Sequence, residues 1–188
     1  GSVWRFQLLK MTITAKVHPH NDLLNLAHYH RGAINEKNGH PDAEGVAPDG
    51  MSCLIALAFS VEALINFVGA KCIGQWEEKQ PFHKKLSALE ATIGLVYDKA
   101  KEPYSTIEKL KKLRDQMAHG KPIEANAIAS SKEDLKRAMR APWDEFLVPA
   151  FVNHAYDQVC AFEDNLLALG KIPLVETLTS GFSSWKET

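Results

Sequence analysis

Residues 51–73 have the sequence MSCLIALAFSVEALINFVGAKCI, an apolar run long enough to cross a bilayer as a helix. Three polar residues, Ser60, Glu62 and Asn66, interrupt its middle. An acidic side chain at the centre of a membrane span is costly. A helix that is apolar on nearly every side also suits the centre of a bundle. We therefore predict a buried central helix and no membrane partner.

Helical periodicity dominates on both sides of this run, and no convincing β alternation is found. The apolar spacing predicts a third helix from about Phe82 to Ala100 and a long final helix over residues 149–169. A first helix is predicted to be capped by Asn21 or Asp22. Residues 35–50 are rich in Gly, Pro, Asn and Asp, and we expect a loop there.

A fourth helix is predicted to start at a capping box formed by Ser105 and Glu108 and to stop at Gly120 and Pro122. A short charged helix is expected around residues 131–140. The fold prediction is an all-α bundle of about five helices, with the domain over residues 21–170. Residues 1–20 form an N-terminal extension, and residues 171–188 form a C-terminal tail that is mobile or docks on a partner.

The composition is that of a soluble globular protein, with 188 residues, 45% of them hydrophobic and 24% charged. The formal net charge is −1, so a phosphate-binding site would have to be a local feature. Cys53, Cys72 and Cys160 are widely spaced in apolar runs, which is typical of reduced thiols. No secretory signal is recognised at the start of the chain, and we expect a cytoplasmic protein.

Residues 112–122, KLRDQMAHGKP, place an arginine and a histidine near the end of the fourth helix. Five residues of a regular helix separate Arg114 and His119 by ~140° around the axis and ~7.5 Å along it. The two side chains therefore do not meet on one straight helical face. Either the last turn unwinds beside Gly120, or a two-fold axis brings the arginine of one copy against the histidine of another.

The chemistry available to this pair is narrow. Histidine can accept and donate protons near neutral pH, and arginine offers a planar set of donors to phosphate oxygens. RNA carries its own nucleophile, the 2′-hydroxyl, so a proton shuttle and a cation suffice for cleavage without a metal. Lys121 and Lys112, together with Lys109 and Lys111, would attract the RNA backbone locally.

The segment from Arg114 to His119, at the end of a helix in an all-α domain, resembles the HEPN superfamily (higher eukaryotes and prokaryotes nucleotide-binding). The hallmark of that family is an arginine, a polar residue after it, and a histidine four to six residues further on; Asp115 matches the polar residue. The resemblance implies a helical bundle that dimerises and brings two motifs to a shared cleft. Active members resemble metal-independent endoribonucleases, many of them toxins or defence effectors, whereas other members are non-catalytic.

On this resemblance the catalytic residues are Arg114, His119 and Asp115. HEPN toxins paired with nucleotidyltransferase antitoxins usually carry a tyrosine two residues after the histidine, where this chain has Lys121. Modification by such an antitoxin is therefore not expected, and no antitoxin partner can be named. The competing interpretation of the motif is an ordinary helix end, where the helix dipole favours basic residues.

Glu62 and Asn66 lie four residues apart on the apolar helix and share a face. A buried carboxylate needs a partner, so Glu62 either holds Arg114 or His119 in place or is exposed or paired with a lysine. We include both residues among the substrate-binding candidates, with Lys112 and Lys121. The histidine-rich segment 18–30 has no chelating spacing on a helix, and no metal or other cofactor is expected.

Overall fold

The computed structural model describes residues 10–38, 45–122, 131, 134–135 and 138–186. These residues form five α-helices and a two-stranded sheet, which confirms the predicted all-α bundle. The helices are α1 (Pro19–Lys37), α2 (Val46–Cys72), α3 (Phe82–Ile93), α4 (Tyr104–His119) and α5 (Pro149–Gly170), and the strands are β1 (Lys10–Lys16) and β2 (Ser180–Lys186).

Helix α2 is the central element of the bundle, because it packs against α1, α3, α4 and α5. It contains residues 51–72 of the apolar run, and many of its side chains are buried, as predicted. By length and composition alone α2 could also cross a membrane, and 61% of its most apolar 18-residue window is buried inside the structure. Burial of this apolar surface is the main source of stability for the fold.

The long final helix follows its sequence pattern closely. Apolar residues spaced by three and four along α5 form a stripe that is buried except at its ends, with Phe162 fully covered. Val148 precedes the helix and is exposed. The helix ends at Lys171, which adopts a left-handed conformation (φ 53°), and Gly170 is still helical. The buried members of the stripe are Val152, Ala155, Val159, Phe162 and Leu166.

Several predicted helix limits are wrong. α1 begins at Pro19, before the predicted caps, and α2 begins at Val46 inside the predicted loop. α3 ends at Ile93 rather than near Ala100, because Gly94 takes the left-handed conformation (φ 73°) that terminates helices. Residues 94–103 are not helical, and Val96, which the predicted helix to Ala100 would have contained, is exposed.

The predicted capping box of the fourth helix is also wrong. α4 begins at Tyr104, which places Ser105 within its first turn. Glu102 provides the polar contact instead: its carboxylate accepts hydrogen bonds from the backbone amide of Thr106 (3.3 Å) and from Thr106 Oγ1 (2.9 Å). A carboxylate close to the first turn is favoured by the helix dipole.

The expectation that the chain has no β-strand is wrong, because two strands pair near the two ends of the chain. β1 and β2 are antiparallel, with a register from Lys10 opposite Lys186 to Lys16 opposite Ser180. The predicted N-terminal extension and C-terminal tail are thus partners of each other. The predicted charged helix over residues 131–140 lies partly outside the described residues. Its described part makes helical hydrogen bonds from Leu135 to Ser131 and from Met139 to Leu135.

A close approach between α2 and the following loop yields a stability prediction. A methyl group added at Gly69 would lie 2.4 Å from the indole of Trp76, whose Nε1 donates to Asn66 Oδ1 (3.3 Å). We expect Gly69→Ala to lower the free energy of unfolding by about 1–3 kcal/mol, because the indole must shift. Urea denaturation measures this change.

The matched control is Gly32→Ala in the middle of α1, where the added methyl group meets nothing within 4 Å. Alanine is the better helix former, so this substitution should raise the free energy of unfolding by up to about 1 kcal/mol. Equal effects of the two substitutions would contradict the packing of Trp76 on Gly69.

Candidate functional site

Arg114 is held between α2 and α4 by two carboxylates. Its terminal nitrogen NH1 donates to Glu62 Oε2, while NH2 (2.8 Å) and Nε (3.1 Å) both donate to Asp115 Oδ1. The side chain is 19% exposed, so the guanidinium is only partly accessible to solvent. Its Cζ also lies 5.9 Å from the ring centroid of Phe59, a residue that is 45% exposed.

Glu62 connects three helices through this contact. Its second oxygen, Oε1, accepts a hydrogen bond from Lys85 Nζ of α3 (2.9 Å). The side chain of Lys85 is 1% exposed, and a buried ammonium requires such a partner. The two alternatives for Glu62 do not exclude each other, since its carboxylate contacts Arg114 and also pairs with a lysine.

Together these residues form an ionic cluster that carries a small positive charge. Lys111 Nζ adds a fourth contact, to Asp115 Oδ2 (2.9 Å). Three cations against two carboxylates leave one net positive charge in the cluster. We define the ionic cluster as Glu62, Lys85, Lys111, Arg114 and Asp115.

The pKa values of Glu62, Asp115 and Arg114 all shift in the direction that favours their charged forms. Burial acts to raise the pKa of Glu62, but hydrogen bonds from Lys85 and Arg114 outweigh it and bring the pKa below its usual value. The pKa of Asp115 is lowered in the same way, against burial, by Lys111 and Arg114. Burial acts to lower the pKa of Arg114, but Asp115 and Glu62 raise it overall.

His119 is not part of the ionic cluster and lies at the C-terminal end of α4. It is the last residue of α4 and is exposed, and its side chain makes no hydrogen bond or ion pair with any residue that the structure describes. The helix stays regular up to His119, so the idea that its last turn unwinds toward Arg114 is wrong. Gly120 allows the backbone after α4 to pass close to the last turn of the helix, because a methyl group there would lie 2.5 Å from the carbonyl oxygen of Gln116.

A shallow concavity of about 640 Å³, the α4 groove, runs along the exposed face of this helix toward His119. Every residue that lines it belongs to α4, so its other side is open. Glu108 and Asp115 are the acidic lining residues. The remaining ones are Lys109, Lys111, Lys112, Gln116 and His119.

The other residues predicted from the sequence do not all lie near the ionic cluster or the α4 groove. Lys112 lies in the α4 groove, whereas Lys121 is exposed beyond the end of the helix. The side chain of Asn66 accepts the Trp76 hydrogen bond and forms no hydrogen bond with the side chains of the ionic cluster among the described residues. Sequence reasoning missed Lys85, although its position three residues after Phe82 places it on the buried face of α3.

The histidine-rich segment does not converge on a common point. The rings of His18 and His20 contact Phe67, His28 lies 3.2 Å from the Tyr156 hydroxyl, and His30 lies 3.0 Å from Asp49. Within residues 10–38, 45–122 and the described parts of 131–186, no group of three or more His, Cys, Asp or Glu side chains could hold a metal ion.

The three cysteines are free thiols, and their environments disfavour nucleophilic chemistry. Burial raises the pKa of Cys53 to about 12 and also raises the pKa of Cys72 and Cys160. A thiol must lose its proton to act as a nucleophile, so Arg114 and His119 are the better candidates for chemistry.

No protein-family model, characterised protein or solved structure gives a significant match to this chain.

The contacts in the ionic cluster predict that Glu62→Gln lowers the stability of the fold and that this loss depends on pH. The substitution leaves the buried Lys85 ammonium without a charged partner, so we expect the free energy of unfolding at pH 7 to fall by about 2 kcal/mol. The folded-state pKa of Glu62 is lowered, so its contribution is complete above the ordinary value of 4.5 and is lost as the pH falls below it. Chemical denaturation of wild type and variant between pH 3 and 7 measures this difference.

Lys85→Met is the control, because it removes the buried charge and leaves Glu62 paired with Arg114. We expect its free energy of unfolding to stay within about 1 kcal/mol of wild type. A Glu62→Gln variant as stable as wild type at pH 7 would mean that the Lys85–Glu62 contact does not hold these helices together.

Proposed function

We propose that this chain is a HEPN-like protein that binds RNA along α4 and cleaves it without a metal ion, in a site completed by two copies of the chain. His119 takes the proton of the attacking 2′-hydroxyl or gives one to the leaving oxygen. Arg114 offsets the negative charge that develops on the phosphoryl oxygens, and Asp115 orients Arg114. The free cysteines support a reducing, cytoplasmic setting.

The observation that carries the proposal is the fixed orientation of Arg114. A guanidinium has five N–H groups, and the contacts to Glu62 and Asp115 use three of them. One N–H on each terminal nitrogen is left to donate to phosphate oxygens. A side chain already held by two carboxylates loses little freedom on binding, which favours charge stabilisation in the transition state.

The requirement for a second copy follows from the helix. Arg114 is directed toward α2, whereas His119 is exposed at the end of α4, ~140° further around the axis. A two-fold axis beside α4 would place the histidine of one copy near the arginine of the other. The α4 groove supports this arrangement, because its lining comes from one helix and its other wall is free for a partner.

A local positive field supports RNA as the ligand. Lys109 and Lys112 are exposed on α4 and have no ion pair among the described residues. The ionic cluster contributes one further net positive charge. These cations can attract phosphates at short range although the net charge of the whole chain is −1.

One observation favours a second candidate function. The charge of Arg114 is already offset by Glu62 and Asp115, which weakens its attraction for a phosphate. A non-catalytic HEPN-type module, binding RNA or a nucleotide or serving only as a dimer contact, would need no more than this. The two candidates differ in whether RNA is cut.

Cleavage should depend on both members of the motif. In EDTA, we expect His119→Ala and Arg114→Ala each to reduce the rate of RNA cleavage by about 100-fold or more, because each removes a group that acts in the transition state. Wild-type products should carry 2′,3′-cyclic phosphate ends, which gel electrophoresis and mass spectrometry detect.

His83→Ala is the matched control, since His83 is an exposed histidine on α3 that does not belong to the ionic cluster. It should cleave at the wild-type rate. Cleavage that survives both motif substitutions would exclude this site, and RNA binding without any cleavage by wild type would select the non-catalytic candidate.

A further inference from the structure

A second concavity begins where the α4 groove ends. It has a volume of about 660 Å³ and lies between the last turn of α4 and residues 138–143. This volume falls within the range of small-ligand sites. Met117 and Trp143 are half-buried and pack against the core, while Met139 is 72% exposed. We call this concavity the terminal groove.

The charged residues of the terminal groove are cations. Lys121 and Arg140 line it and are exposed, and its described lining includes no carboxylate. Neither cation forms an ion pair with any residue in the described ranges. This differs from the ionic cluster, where each cation already has a carboxylate partner. Two unpaired cations beside an apolar surface suit a ligand that combines an anion with a flat ring.

Trp143 is held in place by its backbone surroundings. The amide of Asp144 donates to the carbonyl of Ala141 (3.0 Å), and the amide of Ala141 donates to Asp144 Oδ2 (3.0 Å). The amide of Phe146 donates to the carbonyl of Trp143 (3.0 Å). An aromatic side chain on a fixed backbone is a suitable stacking surface for a nucleobase.

The terminal groove lies next to the α4 groove and His119. Gln116 lines both grooves, and Gly120 and Lys121 follow directly after His119. An RNA strand lying in both grooves would therefore pass His119. The carbonyl groups at the end of α4 carry partial negative charge, so a phosphate there would contact the long side chains of Lys121 and Arg140 rather than the backbone.

We propose that the terminal groove binds one nucleotide of single-stranded RNA next to the scissile phosphate, with the base stacked on Trp143 and the phosphate held by Lys121 and Arg140. This inference rests on the proposed RNA-binding function. It also defines the substrate class, because a base within a duplex is already stacked on its neighbours and cannot lie on the indole. The substrate is thus unpaired RNA.

Binding of a labelled 2′-O-methyl oligouridylate of eight nucleotides tests this inference, since the ligand cannot be cut at a 2′-hydroxyl. Fluorescence anisotropy should show affinity losses of about 5- to 100-fold for Trp143→Leu and only small losses for Trp143→Phe. The double variant Lys121→Glu, Arg140→Glu should lose at least about tenfold and show a shallower salt dependence. A duplex ligand should be insensitive to Trp143→Leu.

Lys79→Glu, a charge reversal at an exposed position between α2 and α3, is the matched control and should bind as wild type does. Circular dichroism checks the fold of Trp143→Leu, and the double variant tests the groove without touching the core.

Wild-type affinity in Trp143→Leu and in the double variant would overturn this inference. Loss of dimerisation in Trp143→Leu by analytical ultracentrifugation would also overturn it, because the groove would then be a contact between copies. If wild type binds none of the oligonucleotide, the groove assignment and the RNA-binding function fall together. If His119→Ala abolishes cleavage while the groove variants bind normally, the proposed function stands and the groove assignment alone fails.

Discussion

The contacts of the Glu62 carboxylate with Lys85 and Arg114 are the interactions on which the rest of the ionic cluster depends. Glu62 is an acid in the most apolar helix of the chain, and it is tolerated because Lys85 of α3 and Arg114 of α4 each contact one of its oxygens. Removing one partner of a buried pair is costly, since the other charge is left in a poorly solvated environment. Glu62 therefore links the packing of three helices to the orientation of the one arginine in the motif.

That orientation has a consequence for function. Arg114 is fixed toward α2, while His119, on the same helix, is exposed and free to contact another molecule. An intact helix cannot bring the two side chains to one point, because five residues place them on different faces. Within one chain, the oriented guanidinium of Arg114 is thus on a different face of α4 from the exposed imidazole of His119. We propose that a phosphodiester meets both because a second copy supplies one of them.

The parts of the fold that were predictable from sequence are those set by local periodicity. The apolar spacing of α5 and the long apolar run of α2 identified both helices, and the pairing of Glu62 followed from the cost of a buried charge. The end of α3 was missed because Gly94 interrupts an apolar stripe that continues in the sequence. The HEPN resemblance stays a prediction, since it depends on six positions.

Features that depend on distant partners were not predictable in the same way. β1 alternates Met11, Ile13 and Ala15 with polar residues, but β2 (SGFSSWK) does not alternate. Because β1 has its partner at the other end of the chain, the pairing was not recognised from either segment alone. The contact between Lys85 and Glu62 joins residues of two helices, although the helical spacing of Lys85 indicated its burial. Trp143 and Arg140 meet the end of α4 only through the tertiary fold.

Subunit complementation tests the central claim most directly. When His119→Ala and Arg114→Ala chains are unfolded together and refolded as an equal mixture, half of the dimers contain one of each. If the site takes its arginine from one copy and its histidine from the other, each mixed dimer has one intact site, and cleavage should recover to about one quarter of the wild-type rate. A mixture as inactive as either variant alone would contradict a site shared between two chains.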